Sequence, residues 1–396
     1  MHCSDGHMPG MSAPSRMPLF LVVAASTIIG IAGVDLVLPA VPLLPERLGG
    51  DTARAQLVLA AYSLGTALGL LAFGELGARI DRVRLLTLSL VLFALVSAIA
   101  ATVSQLDTLV AWRFIQGALG AAPAVFAPGI VRCIFGDEHA PKAMGWLGSA
   151  ESLAPALAPI AGLYLFGLGD WRLSFWVLAG TGLGCAVASH VLLRPFSGKR
   201  SFAKGSYMSL ARKPLFLRYW ISQSLSLASI LIFVFGAPAV FVEQGFGMEA
   251  FIALQLVGVA TFIAGSLLSS IIAERIGAPK LLWLGTGLLA ATFGLIFLSA
   301  VSGYGSIEVI LPLFALNGLG FGLRGPIGFH RAIVAADGDD GRAAALVVLL
   351  VLMAAALGTA VLAPHLALGL APLAGFAASV SCAALAALLI GRSQER

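Results

Sequence analysis

Long apolar runs separated by short polar ones fill the chain from about residue 18 to about residue 391. Twelve of them reach the roughly 20 residues that a helix needs to cross a hydrocarbon layer ~30 Å thick. They lie at roughly 18–41, 54–77, 85–104, 107–131, 143–168, 172–194, 215–242, 249–274, 280–302, 307–330, 343–368 and 371–391. The longest polar connection, 195–213, carries Lys199, Arg200, Lys204, Arg212 and Lys213 and divides the runs six and six. The pattern predicts an all-α membrane protein with 12 transmembrane helices. Its parts are an N-terminal six-helix half over 1–194, a linker over 195–213 and a C-terminal six-helix half over 214–396.

The halves resemble each other. Leu38-Pro39-Ala40-Val41 closes the first run and Ala237-Pro238-Ala239-Val240 the seventh. Gln116-Gly117-Ala118-Leu119-Gly120 in the fourth parallels Asn317-Gly318-Leu319-Gly320 in the tenth, with one residue fewer. Arg79-Ile80-Asp81 parallels Arg275-Ile276-Gly277. The offsets are 199, 201 and 196 residues. Three matches at nearly one offset suggest a duplicated six-helix unit, which in transporters frames a central pathway.

Composition agrees: of 396 residues 59% are hydrophobic and 11% charged, with a mean hydropathy of +0.98. Soluble domains carry about 25% charged residues. The net charge of +5 is spread in short clusters beside the apolar runs, so it points to membrane topology and not to nucleic acid. Nineteen of the 24 Lys and Arg residues fall in the N-terminus, the even-numbered connections and the C-terminus, Arg218 among them. By the positive-inside rule both termini face the cytoplasm, as does the linker. The four Cys show no CxxC or His-paired spacing, and nothing calls for a metal or a cofactor.

Two arginines, Arg113 and Arg324, are left inside the apolar runs. A cation there costs ~2.5–3.5 kcal/mol on insertion scales, so each needs an anionic partner or a watery cavity. Asp35 and Arg113 each lie about six residues, ~9 Å, from the same membrane face, so the two opposite charges share a depth. Burial disfavours a carboxylate's charged form and a nearby guanidinium favours it. A carboxyl between those influences can load and release protons; the alternative is an ion pair that only locks two helices. Gly117 and Gly120 leave a thin face for another helix or a substrate. Glu151 is the other acid well inside a run and Arg324 lies toward the cytoplasmic end of its own, so the two are candidates for one cavity. Tyr62, Gln116, Asn317 and Arg324 are the candidate substrate-binding residues. Asp35, Arg113 and Glu151 are the candidates for proton coupling. The connection from Gly74 through Arg79, Asp81 and Arg82 to Arg84 is too short to loop freely, and its arginines suit helix C-termini as a conformational latch. Pro155 and Pro159 each remove a helix hydrogen bond and predict a kink.

These residues resemble the major facilitator superfamily and, within it, the twelve-span drug:proton antiporters of the Bcr/CflA multidrug efflux group. Asp35-Leu36-Val37-Leu38-Pro39-Ala40-Val41-Pro42 is similar to that group's D-x-Y-L-P-A-[LV]-P signature. Arg113-Phe114-Ile115-Gln116-Gly117 is similar to the fourth-helix R-x-x-Q-G motif, associated with proton coupling. Gly74 to Arg84 resembles the G-x-L-x-D-R-x-G-R-[RK] loop, with Ala78 in place of its Asp and Asp81 in place of its Gly. Ala158-Pro159 to Gly162 and then Trp171-Arg172 resemble the fifth-helix antiporter motif, with Ala158 in place of Gly. Val37 replaces the group's Tyr, and Glu151 and Arg324 stand where apolar residues are expected.

The resemblance implies a monomer in the bacterial inner membrane that exports small amphipathic molecules by alternating access. The first, fourth, seventh and tenth helices would line the pathway, with protons and a small-molecule substrate as partners. The nearest rival is proton-coupled uptake or export of an organic anion or zwitterionic metabolite. No G-x-x-x-x-G-K-[ST] stretch is present for direct use of ATP, and no H-E-x-x-H or G-x-S-x-G for a membrane enzyme.

Overall fold

A computed structural model describes residues 13–196, 207–210, 212–336 and 340–390. The polar N-terminal segment and the basic part of the 195–213 connection lie outside the described residues. Those described are overwhelmingly helical, with no strand among them. The helices are α1 (Ala13–Asp35), α2 (Leu44–Leu48), α3 (Thr52–Arg79), α4 (Arg82–Ala100), α5 (Leu106–Gly120), α6 (Ala122–Gly167), α7 (Arg172–Leu192), α8 (Tyr207–Leu210), α9 (Pro214–Glu243), α10 (Gly247–Ile276), α11 (Ala278–Val301), α12 (Ile307–Val334), α13 (Asp340–Leu362) and α14 (Leu370–Ala387). Eleven segments among the described residues are long and apolar enough to cross a membrane. The remaining expected run, 143–168, is the second limb of α6, whose described apolar stretch is Leu157–Gly167.

Two helix breaks redraw the expected ends. The expected run 107–131 is α5 plus the first limb of α6, with a turn at Ala121. Pro123 lacks the N–H that would have bonded the Leu119 carbonyl, which interrupts the hydrogen-bond ladder while Ala121 keeps helical φ and ψ (−75° and −26°). Within α6 the backbone leaves the helical region at Gly136 (φ 74°, ψ 167°), between the expected runs 107–131 and 143–168, and helix then runs on through Pro155 and Pro159. Only glycine takes such a φ without a Cβ penalty.

The chain forms two compact units. One holds Met1–Gly49 and Ala61–Lys204, the other Gly50–Ala60 and Gly205–Arg396. The first has an aliphatic and aromatic core that includes Phe20, Leu86, Phe126 and Ile130 from α1, α4 and α6. The second centres on residues such as Phe216, Tyr219, Leu282 and Val347 from α9, α11 and α13. On α7, Trp176, Leu183, Val187 and Val191 are exposed at helical spacing, an apolar stripe suited to lipid.

One seam recurs inside both units. In the first, α5 lies so close to α3 that a Cβ on Gly117 would collide with the Tyr62 carbonyl. In the second, a Cβ on Gly318 of α12 would collide with the Gly258 carbonyl of α10. Gly117 and Gly318 are the pair matched by the sequence repeat. The thin face at Gly117 and Gly120 is therefore filled by other helices, α3 at Tyr62 and α1 at Gly30.

Candidate functional site

In the first unit a chain of polar groups runs through three helices. Ser97 on α4 accepts from Gln116 Nε2 on α5 (2.6 Å), and Gln116 Oε1 accepts from Arg113 Nη1 (2.7 Å). Arg113 Nη1 also donates to the Gly33 carbonyl on α1 (2.8 Å). The spacing of Arg113 and Gln116, three residues on one helix, puts both side chains on one face. The guanidinium carbon lies 4.2 Å from the centre of the Tyr62 ring, and the Tyr62 hydroxyl donates to the Gly30 carbonyl (2.7 Å). All of this is inaccessible: Arg113 and Gln116 are 0% exposed and Tyr62 is 1% exposed. Charge-assisted hydrogen bonds of ~1.5–3 kcal/mol and a desolvated cation–π contact of ~2 kcal/mol offset a burial cost of several kcal/mol.

Asp35 is the last residue of α1, two residues beyond the carbonyl that Arg113 holds. It is buried, and its carboxyl has no hydrogen-bond or ion-pair partner among the described residues. Arg113 and Asp35 both lie within electrostatic reach of Tyr62. The ion-pair alternative is thus not what joins α1 to α5; a backbone carbonyl takes the guanidinium instead. The chain beyond Asp35 turns into a 3-10 helix, Leu38–Leu43. Pro39 cannot donate to the Asp35 carbonyl four residues back, which helps to end α1 there. Two neighbours hold this bend. Ser174 of α7 donates to the Leu36 carbonyl (3.2 Å), and Gly162 of α6 sits where any Cβ would strike that same oxygen.

The second unit buries its own arginine differently. Arg324 on α12 is 1% exposed and reaches Ser222 on α9 through two long contacts, Nη1 to the carbonyl (3.4 Å) and Nη2 to the hydroxyl (3.3 Å). Charge-assisted bonds usually run to ~2.7–2.9 Å. Its Nε has no hydrogen-bond partner, and no acidic group pairs with it among the described residues. The Oε1 of neighbouring Gln223, also buried, is without a partner. Asn317 sends Nδ2 to Thr292 Oγ1 (2.8 Å), so like Gln116 it ties its helix to a hydroxyl on the helix before it.

The other expected residues are held locally. Glu151 is half-buried and engages the Thr27 side chain inside the first unit, so it and Arg324 each have a partner in their own unit. The Asp81 carboxylate caps α4 by accepting from Arg84 N (2.8 Å). Arg79 pairs with Glu75 one turn back (2.6 Å) on an exposed face. Gly74 and Arg82 are half-buried at the end of α3 and the start of α4, and Pro155 and Pro159 lie within α6. Arg218, counted above with a connection, is in fact buried inside α9 (2% exposed). Sequence reading also passed over Ser97, Ser222, Gln223 and Thr292. Their signal was faint, since single Ser, Thr or Gln residues in apolar helices mostly bond their own backbone. The Arg218, Ser222, Ser226 spacing, one polar residue per turn, was the one legible sign.

Two repeated helical units, each with a buried polar cluster on its fourth membrane-crossing helix, define a multi-pass membrane protein of the transporter type. Residues 23–359 match the family model of the Major Facilitator Superfamily, and the chain belongs to that superfamily. It is 26% identical over 259 residues to a bicyclomycin resistance protein homolog of Haemophilus influenzae, covering 63% of this chain and 65% of that protein. It is 24% identical over 299 residues to the multidrug resistance protein MdtL of Shewanella oneidensis, covering 74% and 76%. A chloramphenicol resistance protein of Pseudomonas aeruginosa is 26% identical over 308 residues, covering 76% and 73%. These relatives agree with the likeness to the Bcr/CflA efflux group.

Proposed function

We propose that the protein is a proton-coupled secondary transporter that exports small amphipathic molecules by alternating access. The observation that supports this reading is the Asp35 carboxyl: buried, without a partner among the described residues, and two residues along α1 from the Gly33 carbonyl that the buried Arg113 guanidinium holds. Because Arg113 is held by Gly33, Gln116 and Tyr62, Asp35 is free to change protonation without the network losing its shape. Neutral Asp35 suits the buried state, and charged Asp35 suits contact with water. One charge moved across ~100 mV supplies ~2.3 kcal/mol, enough to drive modest accumulation. The names of the relatives support cargo of the antibiotic type. The crossing helices and the bacterial relatives support the bacterial inner membrane, and the distribution of basic residues supports cytoplasmic termini.

The test uses proteoliposomes and chloramphenicol as the probe. With an acidic lumen an antiporter accumulates the probe in exchange for protons, whereas a symporter accumulates it only when the outside is acidic. Asp35→Asn is expected to abolish the response to the gradient while leaving probe binding at uniform pH within about threefold, since the substitution keeps size and removes only titration. Accumulation of the opposite sign, or an undiminished gradient response in Asp35→Asn, rules the reading out.

A further inference from the structure

We infer that the cluster around Arg324 in the second unit is a seat for an anionic group, a carboxylate or comparable oxyanion, on the molecule carried. This rests on the transporter reading above and adds the charge of the cargo to it.

The cluster is a cation prepared without its anion. Arg324 is buried, its Nε is unpartnered, and both contacts to Ser222 are long. Gly328, one turn on along α12, leaves the room in which the groups converge. A Cβ there would stand 3.0 Å from Arg324 Nη2 and collide with Gln223 Oε1. The Gln223 amide oxygen is itself without a partner, and a flip of its oxygen and nitrogen lets it present N–H groups instead.

No acidic group among the described residues answers the Arg324 charge. Asp35 is the sole buried acid among the described residues, and it belongs to the first unit. A guanidinium edge with Nε and Nη donors matches a carboxylate side-on, and the Ser222 hydroxyl and Gln223 amide are suited to its remaining lone pairs. A neutral or cationic cargo leaves the same donors uncompensated.

The test uses the full chain in phosphatidylcholine nanodiscs at uniform pH and fixed ionic strength. The probes are benzoate, salicylate and 1-naphthoate, each paired with its primary amide, and thermal unfolding is read against concentration. At least one carboxylate is expected to raise the midpoint saturably while its amide does not. Arg324→Gln should weaken that carboxylate about 30-fold or more, because a buried charged partner is lost. Gln223→Ala should weaken it less and serves as the second variant should Arg324→Gln fail to fold. In the absence of probe, Arg324→Gln should unfold at the same temperature or higher, a result that a purely structural arginine would not give. Equal behaviour of carboxylates and amides, no shift from any probe, or unchanged binding in both variants overturns the inference. So does stabilisation by phosphatidylglycerol nanodiscs that depends on Arg324 and is not displaced by the carboxylates, since it assigns the seat to a lipid headgroup. No pH gradient enters this test, so its failure leaves the proton reading of Asp35 standing, and failure of that reading leaves this binding measurable.

Discussion

Arg113 and Arg324 occupy corresponding helices of two repeated units, and their surroundings differ in kind. Arg113 lies three residues before Gln116, and Arg324 seven residues after Asn317. Ten residues of helix separate these registers, about 15 Å along the axis, so the units carry their charges toward opposite ends of the fourth helix. The first unit surrounds its arginine with a carbonyl, an amide and an aromatic face, all at close range, and carries an acid two residues beyond that carbonyl on α1. The second offers two long contacts and, among the described residues, no acid. The helices that meet these arginines differ as well. α1 stops at Asp35 before Pro39, whereas α9 runs on through the matching Pro238 to Glu243. The duplicated frame is held by shared devices, the glycine seam and the amide-to-hydroxyl tie. The chemistry sits where the copies diverge.

The comparison breaks most visibly in transport. Arg113→Gln is expected to lower gradient-driven uptake of chloramphenicol by about 100-fold or more, since the positioned charge beside Asp35 and its hydrogen bonds go together. Arg324→Gln should leave the gradient response of this neutral probe within about threefold, as an uncompensated cation that meets no anion contributes little to it. Equal losses in the two variants would erase the division of labour between the units.

The shared seam gives the next largest effect. Gly117→Ala and Gly318→Ala each drive a methyl into a facing carbonyl, and each should cost about 1–3 kcal/mol, seen as a lowered thermal unfolding midpoint in detergent. A difference of more than about 2 kcal/mol between them would show that the seams are not equivalent.

The tie between third and fourth helices should behave likewise on a smaller scale. Ser97→Ala and Thr292→Val leave the Gln116 and Asn317 amides short of an acceptor, at a cost of about 1–2 kcal/mol in unfolding free energy. Only Ser97→Ala should also reduce gradient-driven transport, because Gln116 in turn holds Arg113. Tyr62→Phe sharpens the contrast at the smallest scale. It removes the bond to Gly30 and keeps the ring beside Arg113, so about 1 kcal/mol of stability goes while the gradient response persists.

Much of this was readable before any coordinates. The apolar runs match the crossing helices because each is long enough to satisfy its own backbone in lipid, a constraint that leaves little choice. Asp35 and Arg113 were placed at one depth by counting residues from the run ends, and the Gly33 carbonyl bond bears that depth out. The alternative of an ion pair locking α1 to α5 is not what the fold uses, because rotamer and helix rotation, which counting does not supply, turn the guanidinium to the Gly33 carbonyl. The interruption at Gly136 falls in the short connection expected between the fourth and fifth runs, where glycine takes a positive φ at little cost. Arg218, counted with the connection before the seventh run, lies in the first turns of α9 and is buried there.

Sequence alone determined the all-helical membrane frame, its duplication and the two intramembrane arginines, because hydropathy period and charge are local properties of the chain. Tertiary structure decided which groups answer each charge. Ser97, Gln116, Gly33 and Tyr62 come from four helices, and Ser222, Gln223 and Arg324 from two, across separations of up to 102 residues. Whether a buried cation is satisfied or left waiting depends on side-chain directions across packed helices, which no single stretch of the chain contains.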